Sequence, residues 1–185
     1  MATKKKIVKK AAAKKAASKP ADEKKVPFKN YATHLKPGDP APAFTAFNQD
    51  GKPVSLADFK GKKLVLYFYP EDDTPTCTKQ ACNLRDNFSI LQKHGFEVAG
   101  VSEDGVAKHK KFESKYKLPY TLIADEDHQV INAYDVWGKK LFMGKIYDGI
   151  IRTTFLIDEN SIIRHVINRP KTGDQVNEIL SRWNN

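Results

Sequence analysis

The stretch Lys63–Cys82, KLVLYFYPEDDTPTCTKQAC, decides how the chain is read. Residues 63–69 are an unbroken apolar and aromatic run, which suits a central strand covered on both faces, and Pro70 ends it. A short acidic loop follows. Thr74-Pro75 then reads as a helix start, with Thr at the N-cap and Pro at the first helical position, where its missing N–H is no loss. Counting on puts Thr76 at N2 and Cys77 at N3. Cys77, Ala81, Leu84, Phe88 and Leu91 recur at steps of four, three, four and three, one apolar stripe on a helix expected over about 75–94.

Working outward, FTAFNQDGKPVSL (44–56) predicts two short strands around the Asp50-Gly51 turn. EVAGVS (97–102) and YTLIAD (120–125) read as further strands, separated by a helix through AKHKKFESKYK (107–117). IIRTTFLIDENSIIRHVI (150–167) is a strand pair hinged on Asp158, Glu159 and Asn160, and GDQVNEILSRW (173–183) is a closing helix. Strands alternating with helices, followed by a late hairpin, predict an α/β sandwich with a mixed central sheet. There is no internal repeat.

A chain of 185 residues suits one domain with a modest appendage. The net charge of +10 resides in that appendage: residues 1–36 hold twelve Lys, no Arg, and only Asp22 and Glu23 as acids, which leaves the remainder neutral. The expected division is a disordered Lys/Ala-rich basic tail over 1–36 and a folded domain over 37–185. The tail has too little apolar surface to offset its ordering entropy. It either aids solubility alone or tethers the protein loosely to a polyanion such as DNA or RNA through counterion release, with nucleoid or nuclear association as the consequence. Residues 1–25 lack aromatics to stack on bases, which argues against sequence-specific or single-strand recognition.

Two cysteines are too few for the disulfide framework of a secreted protein, and no apolar run approaches a signal segment or a membrane span. A cytoplasmic, reducing compartment is the expectation. The scarcity of Arg and hydroxyl residues near the N-terminus argues against a transit peptide.

Both cysteines, Cys77 and Cys82, fall on the expected helix. At N3, Cys77 lies at the positive end of the helix dipole beside amides with no intrahelical partner, and both features favour the nucleophilic thiolate. Asp72 and Asp73 oppose this, so a cation from elsewhere in the fold is expected to help. Taken alone, Cys77 could equally be a small buried hydrophobe. Cys82 is about 140° further around the axis, on a face with Thr78, Asp86 and Ser89, a poor position for core packing. No metal is expected, because His34, His94, His109, His128 and His165 form no ligand cluster with the cysteines. Nor is this the redox motif with two intervening residues. On an intact helix the two Cα atoms are about 8.5 Å apart, whereas a disulfide tolerates less than about 7 Å. If the cysteines are a redox couple, the helix must unwind locally.

The stretch YFYPEDDTPTCTKQACNLRD (67–86) resembles the peroxiredoxins, in particular the peroxiredoxin Q or bacterioferritin-comigratory-protein branch, with Pro70, Thr74 and Cys77 matching the Pro-x-x-x-Thr-x-x-Cys motif. The resemblance runs through VWGKKLFMGKIYDGIIRTTFLID (136–158) to the C-terminal helix and leaves out the tail. It implies a thioredoxin-like fold, a monomer, and reduction of hydrogen peroxide and organic hydroperoxides with no metal or flavin. It implies that Cys77 is the peroxidatic cysteine, passing through a sulfenic acid, and that Cys82 is the resolving cysteine, forming an intramolecular disulfide that thioredoxin or a similar dithiol reduces. By the same resemblance Thr74 hydrogen-bonds the peroxide or the sulfur while capping the helix, Pro70 shields the sulfur from water, and Arg152 is the required cation. Two residues depart from the family pattern: Thr76 stands where Gly is common, and Gln80 where Glu is frequent. Both are expected to bear on rate and reductant preference and to leave the reacting groups untouched. Slow unwinding of the helix would leave the sulfenic acid exposed to over-oxidation.

Two other readings compete. One is a redox-sensing, nucleic-acid-associated protein in which the basic tail is the main functional part; the other is a thiol–disulfide exchange protein without peroxidase activity.

Overall fold

The computed structural model describes residues 31–184, so the Lys-rich segment 1–30 lies outside the described residues. Among the described residues, nine strands and five α-helices follow in the order β1 (Thr45–Asn48), β2 (Pro53–Ser55), β3 (Lys63–Phe68), α1 (Pro75–Asp86), α2 (Phe88–Lys93), β4 (Phe96–Ser102), α3 (Val106–Tyr116), β5 (Thr121–Ala124), α4 (Gln129–Ala133), β6 (Trp137–Phe142), β7 (Lys145–Ile150), β8 (Thr153–Ile157), β9 (Ile163–Asn168) and α5 (Gln175–Trp183). Seven strands form one sheet in the order β2-β1-β5-β4-β3-β8-β9. The β3–β4 and β4–β5 pairs are parallel and the others antiparallel, the mixed sheet that the alternation of elements predicts.

β3 lies in the interior of the sheet, between β4 and β8. Its side chains alternate between two cores. Leu64, Leu66 and Phe68 face a core with Val130, Ile131 and Tyr134, while Val65, Tyr67 and Tyr69 face a core with Cys77, Leu84, Phe112 and Ile179. Both faces are covered by helices, which is why the run 63–69 shows no polar alternation. Gly100, paired with Tyr67 across the β3–β4 ladder, makes room for that ring: a Cβ on Gly100 would lie 2.6 Å from the ring carbon Cζ.

Four features depart from the sequence reading. The helix expected over 75–94 is broken at Asn87, whose side-chain amide donates to the Asn83 carbonyl and so competes with the helical ladder. Phe88 is in consequence only half-buried while Leu91 returns to the core. The short helix α4 and the separate β6–β7 hairpin carried no clear sequence signal. The hairpin mixes Lys with apolar residues on exposed faces, so no period of two emerges, and Leu141, Met143, Ile146 and Tyr147 are exposed along it. The last residues of the segment assigned to the tail are docked on the domain: Thr33 donates to the Tyr134 carbonyl at 2.9 Å, and the His34 amide donates to Asp135 at 2.8 Å.

Candidate active site

Helix α1 begins at Pro75, and its first backbone bond runs from the Thr78 amide to the Thr74 carbonyl at 2.8 Å. The amides of Thr76 and Cys77 therefore precede the helical ladder and point toward the helix N-terminus, where partial positive charge accumulates. Thr74 occupies the N-cap position with extended backbone angles, as expected, but its side chain makes no capping bond. Its hydroxyl donates instead to the Glu71 carbonyl at 3.2 Å, closing the turn that leads into the helix.

Cys77 is 2% exposed, against Val65, Tyr67 and Tyr69 of the β3 region. The cation wanted by this thiol is present. Arg152, in the link between β7 and β8, is half-buried and donates from Nη2 to Cys77 Sγ at 3.1 Å. Its second branch, Nη1, donates to the side-chain oxygen of Gln80. A guanidinium held at two points has its plane fixed, which a lysine ammonium would not achieve.

Gln80 is closer to the chemistry than its place among the departures from the pattern suggested. It is fully buried one turn after Cys77, and its amide nitrogen donates to Gln175 Oε1 at 2.8 Å. The Gln175 amide in turn donates to Thr154 Oγ1 at 2.8 Å. Every link has the same direction, from Arg152 through Gln80 and Gln175 to Thr154, so flipping either amide would place donor against donor. Because Gln80 is neutral, it orients Arg152 without offsetting its charge. The sequence signal for Gln80 was its spacing of three from Cys77, on the buried side of the helix; Gln175 gave none, being 95 residues away from Gln80.

The acids ahead of the helix are each engaged by α3. Glu71 pairs with Lys108 at 2.8 Å, Asp72 with His109 at 2.7 Å, and Asp73 with Lys115 at 2.6 Å. Asp72 and His109 are both buried, and Asp72 also accepts from the Tyr69 hydroxyl at 2.7 Å. His109 Nε2 faces the Ile123 carbonyl at 3.1 Å, so the ring bridges Asp72 on one side and the β5 backbone on the other. Asp73 also accepts from the Tyr116 hydroxyl, and the hydrogen bonds from Lys115 and Tyr116 hold its carboxyl below the usual range. The expected opposition of Asp72 and Asp73 to a thiolate at Cys77 is thus blunted by partners that neutralise them locally.

Above Arg152 opens a cleft of about 400 Å³. It is lined by Tyr31, Pro70, Leu141 and Ile151 and by four cations, Lys139, Lys140, Arg152 and Arg169. Lys140 is half-buried, and burial together with the neighbouring Arg152 pushes its ammonium pKa down. Cys82 is half-buried on another face of α1, close to Arg85 and Tyr120, and both cysteines are free thiols. The structure therefore brings Pro70, Cys77 and Arg152 to one place, with Thr74 closing the turn beside it, and keeps Cys82 apart on the same unbroken helix. Among the described residues no group of three or more His, Cys, Asp or Glu is placed to hold a metal ion, and no helix is long and apolar enough to cross a membrane.

Residues 37–166 match the AhpC/TSA family. The chain is 49% identical over 149 residues to peroxiredoxin Bcp of Escherichia coli K12, covering 80% of this chain and 95% of that protein. A putative peroxiredoxin Bcp of Coxiella burnetii is 48% identical over 148 residues, covering 80% and 98%. Among solved structures, a cysteine-to-serine mutant of Xylella fastidiosa PrxQ superposes with a TM-score of 0.76 at 27% identity, covering 83% of this chain and 98% of that one. Peroxidoxin BcpB of Mycobacterium tuberculosis gives a TM-score of 0.72 at 31% identity, covering 82% and 97%.

Proposed function

The chain belongs to the AhpC/TSA family, in its peroxiredoxin Bcp and Q branch, and from that premise we propose how its own residues carry out thiol-dependent peroxide reduction. The fold is the thioredoxin-like peroxiredoxin fold, and the protein is a thiol peroxidase acting on peroxides with a thioredoxin-type reductant.

Cys77 is the peroxidatic residue in this reading. Its thiolate attacks the terminal oxygen of the hydroperoxide, a new S–O bond forms as the O–O bond breaks, and the departing hydroxide or alkoxide takes up a proton. Arg152 stabilises the thiolate before attack and the developing oxygen charge during it, from a geometry set in advance by Gln80. Pro70 and Ile151 line the approach and exclude water, while Thr74 holds the turn that presents the helix start. The product is a sulfenic acid at Cys77. Condensation with the Cys82 thiol releases water and gives the disulfide, which a dithiol reduces by exchange. Because both cysteines sit on intact α1, the first turns of that helix must open between attack and disulfide formation.

The observation that carries this assignment is the 3.1 Å contact from Arg152 Nη2 to a buried cysteine sulfur at a helix start. It favours the peroxidase over a tail-centred nucleic-acid protein, since the apparatus lies wholly within the domain. The protein is further proposed to act as a monomer in the cytoplasm, an intramolecular disulfide needing no second subunit, with the Lys-rich segment giving at most non-specific polyanion contact and nucleoid association. Rapid mixing of the reduced protein with hydrogen peroxide tests the roles. Cys82→Ser is expected to consume one equivalent and stall as sulfenic acid, and Cys77→Ser to consume none; equal consumption by the two variants would refute the division of labour.

A further inference from the structure

Residues 31–35 form a short strap ahead of the family match that begins at residue 37, and Tyr31 among them lines the cleft. The strap is tied down at several points. Asp135 accepts hydrogen bonds from the Tyr31 hydroxyl and the His34 amide and contacts His34 Nδ1 at 2.7 Å. Thr33 donates to the Tyr134 carbonyl, and Leu35 packs against the core. The Tyr31 ring lies flat on Gly138 of β6, where a Cβ would come within 2.6 Å of ring carbon Cγ. Gly138 pairs with Gly149 across the hairpin, so this ring has a seat with no side chain on either strand. Burial and the Asp135 carboxylate push the Tyr31 phenol up to about 12, keeping it neutral.

The ring thus lines the same cleft as Pro70, Ile151 and Arg152. With Pro70, Leu141 and Ile151 it supplies the apolar part of a lining that also carries Lys139, Lys140, Arg152 and Arg169. Hydrogen peroxide has no organic group to place, whereas a bulky hydroperoxide reacting beside Arg152, which lines the cleft and touches Cys77, must lay its organic group nearby. We propose that Tyr31, outside the shared family domain, is a specificity-determining residue that holds the organic portion of bulky hydroperoxides against the cleft wall. The proposal rests on the peroxidase reading above. It also means that the boundary of the functional unit falls before Tyr31 and not at residue 37.

Pre-steady-state oxidation of the reduced full-length protein, followed with hydrogen peroxide and with cumene hydroperoxide, tests it through the ratio of the two rate constants. Tyr31→Ala, Gly138→Ala (which evicts the ring while leaving the strap sequence intact) and deletion of residues 1–36 should each lower the cumene hydroperoxide constant about 5-fold relative to hydrogen peroxide, the loss expected for part of one aromatic contact. Deletion of residues 1–30 should leave the ratio unchanged. An unchanged ratio in Tyr31→Ala, an equal fall for both substrates, or a gain for cumene hydroperoxide would each overturn the proposal. Wild-type protein reacting with hydrogen peroxide no faster than free cysteine would instead overturn the peroxidase reading beneath it.

Discussion

Arg152 shows how one side chain gathers its meaning from the chain's distant parts. In the sequence it takes a role only from the family resemblance, since an arginine at a strand end is usually solvated. In the folded protein its two branches are committed, one to Cys77 Sγ and one to Gln80. Arg152→Met is expected to slow the reaction of the reduced protein with hydrogen peroxide by about 100-fold or more, the range for losing an oriented charge at developing negative oxygen. Arg152→Lys should recover only part of that loss, because one ammonium cannot serve sulfur and amide in the same fixed plane. Stopped-flow fluorescence measures both, and wild-type rates in Arg152→Met would remove Arg152 from the site. Gln80 carries a related lesson. It was recognised as a departure from the family pattern, but its burial and its bond to Gln175 depend on the docking of α5, which no local pattern encodes.

At the level of elements, α1 is the part of the fold that must be both held and released. Tyr120 donates to the Ala81 carbonyl at 3.0 Å, clasping the helix between the two cysteines, and burial keeps this phenol neutral by pushing its pKa up. Beyond Cys82, Asn83 accepts from the amides of Gln175 and Val176 at 2.9 and 3.2 Å and so supplies the start of α5 with the cap that Asp174 does not. Both halves of α1 are therefore tied to α5, the later one through Asn83 and the earlier one through Gln80, and Tyr120 adds a clasp at Ala81. Tyr120→Phe removes a bond of about 1 kcal/mol and leaves the Ala81 carbonyl its helical partner, so disulfide formation after peroxide attack should quicken about 5-fold. Quenched samples analysed for the Cys77–Cys82 linkage read that rate, and a slower rate would show that the clasp does not oppose opening. The loop before α1 behaves differently with acid. The folded pKa of Asp73 is depressed, so its link to Lys115 contributes fully above the unfolded value of about 4 and is lost as pH falls through the lower folded value. A carboxyl NMR titration should show Asp73 moving toward the unfolded value in Lys115→Met, and no movement would mean that the ion pair is not what holds it.

Over the whole molecule, the sheet was legible because β3, β4 and β5 are continuous apolar runs flanked by turn signals, and the active-site helix because Thr74-Pro75 marks its start. The β6–β7 hairpin and the strap were not, since exposed or locally polar segments owe their structure to what they pack against. The same limit hid the pairing of Glu71, Asp72 and Asp73 with α3, which turned an apparent obstacle to the thiolate into a clamp on the loop. What joins these parts is a catalytic cycle in which a helix fixed by side chains from α5 and the start of β5 must let go of its first turns. Hydrogen exchange on the reduced and the peroxide-oxidised protein tests this most directly. A Cys77–Cys82 disulfide is expected, accompanied by loss of amide protection over the first turns of α1, with β3 still protected. A disulfide formed while those α1 amides stay as protected as in the reduced protein would contradict it.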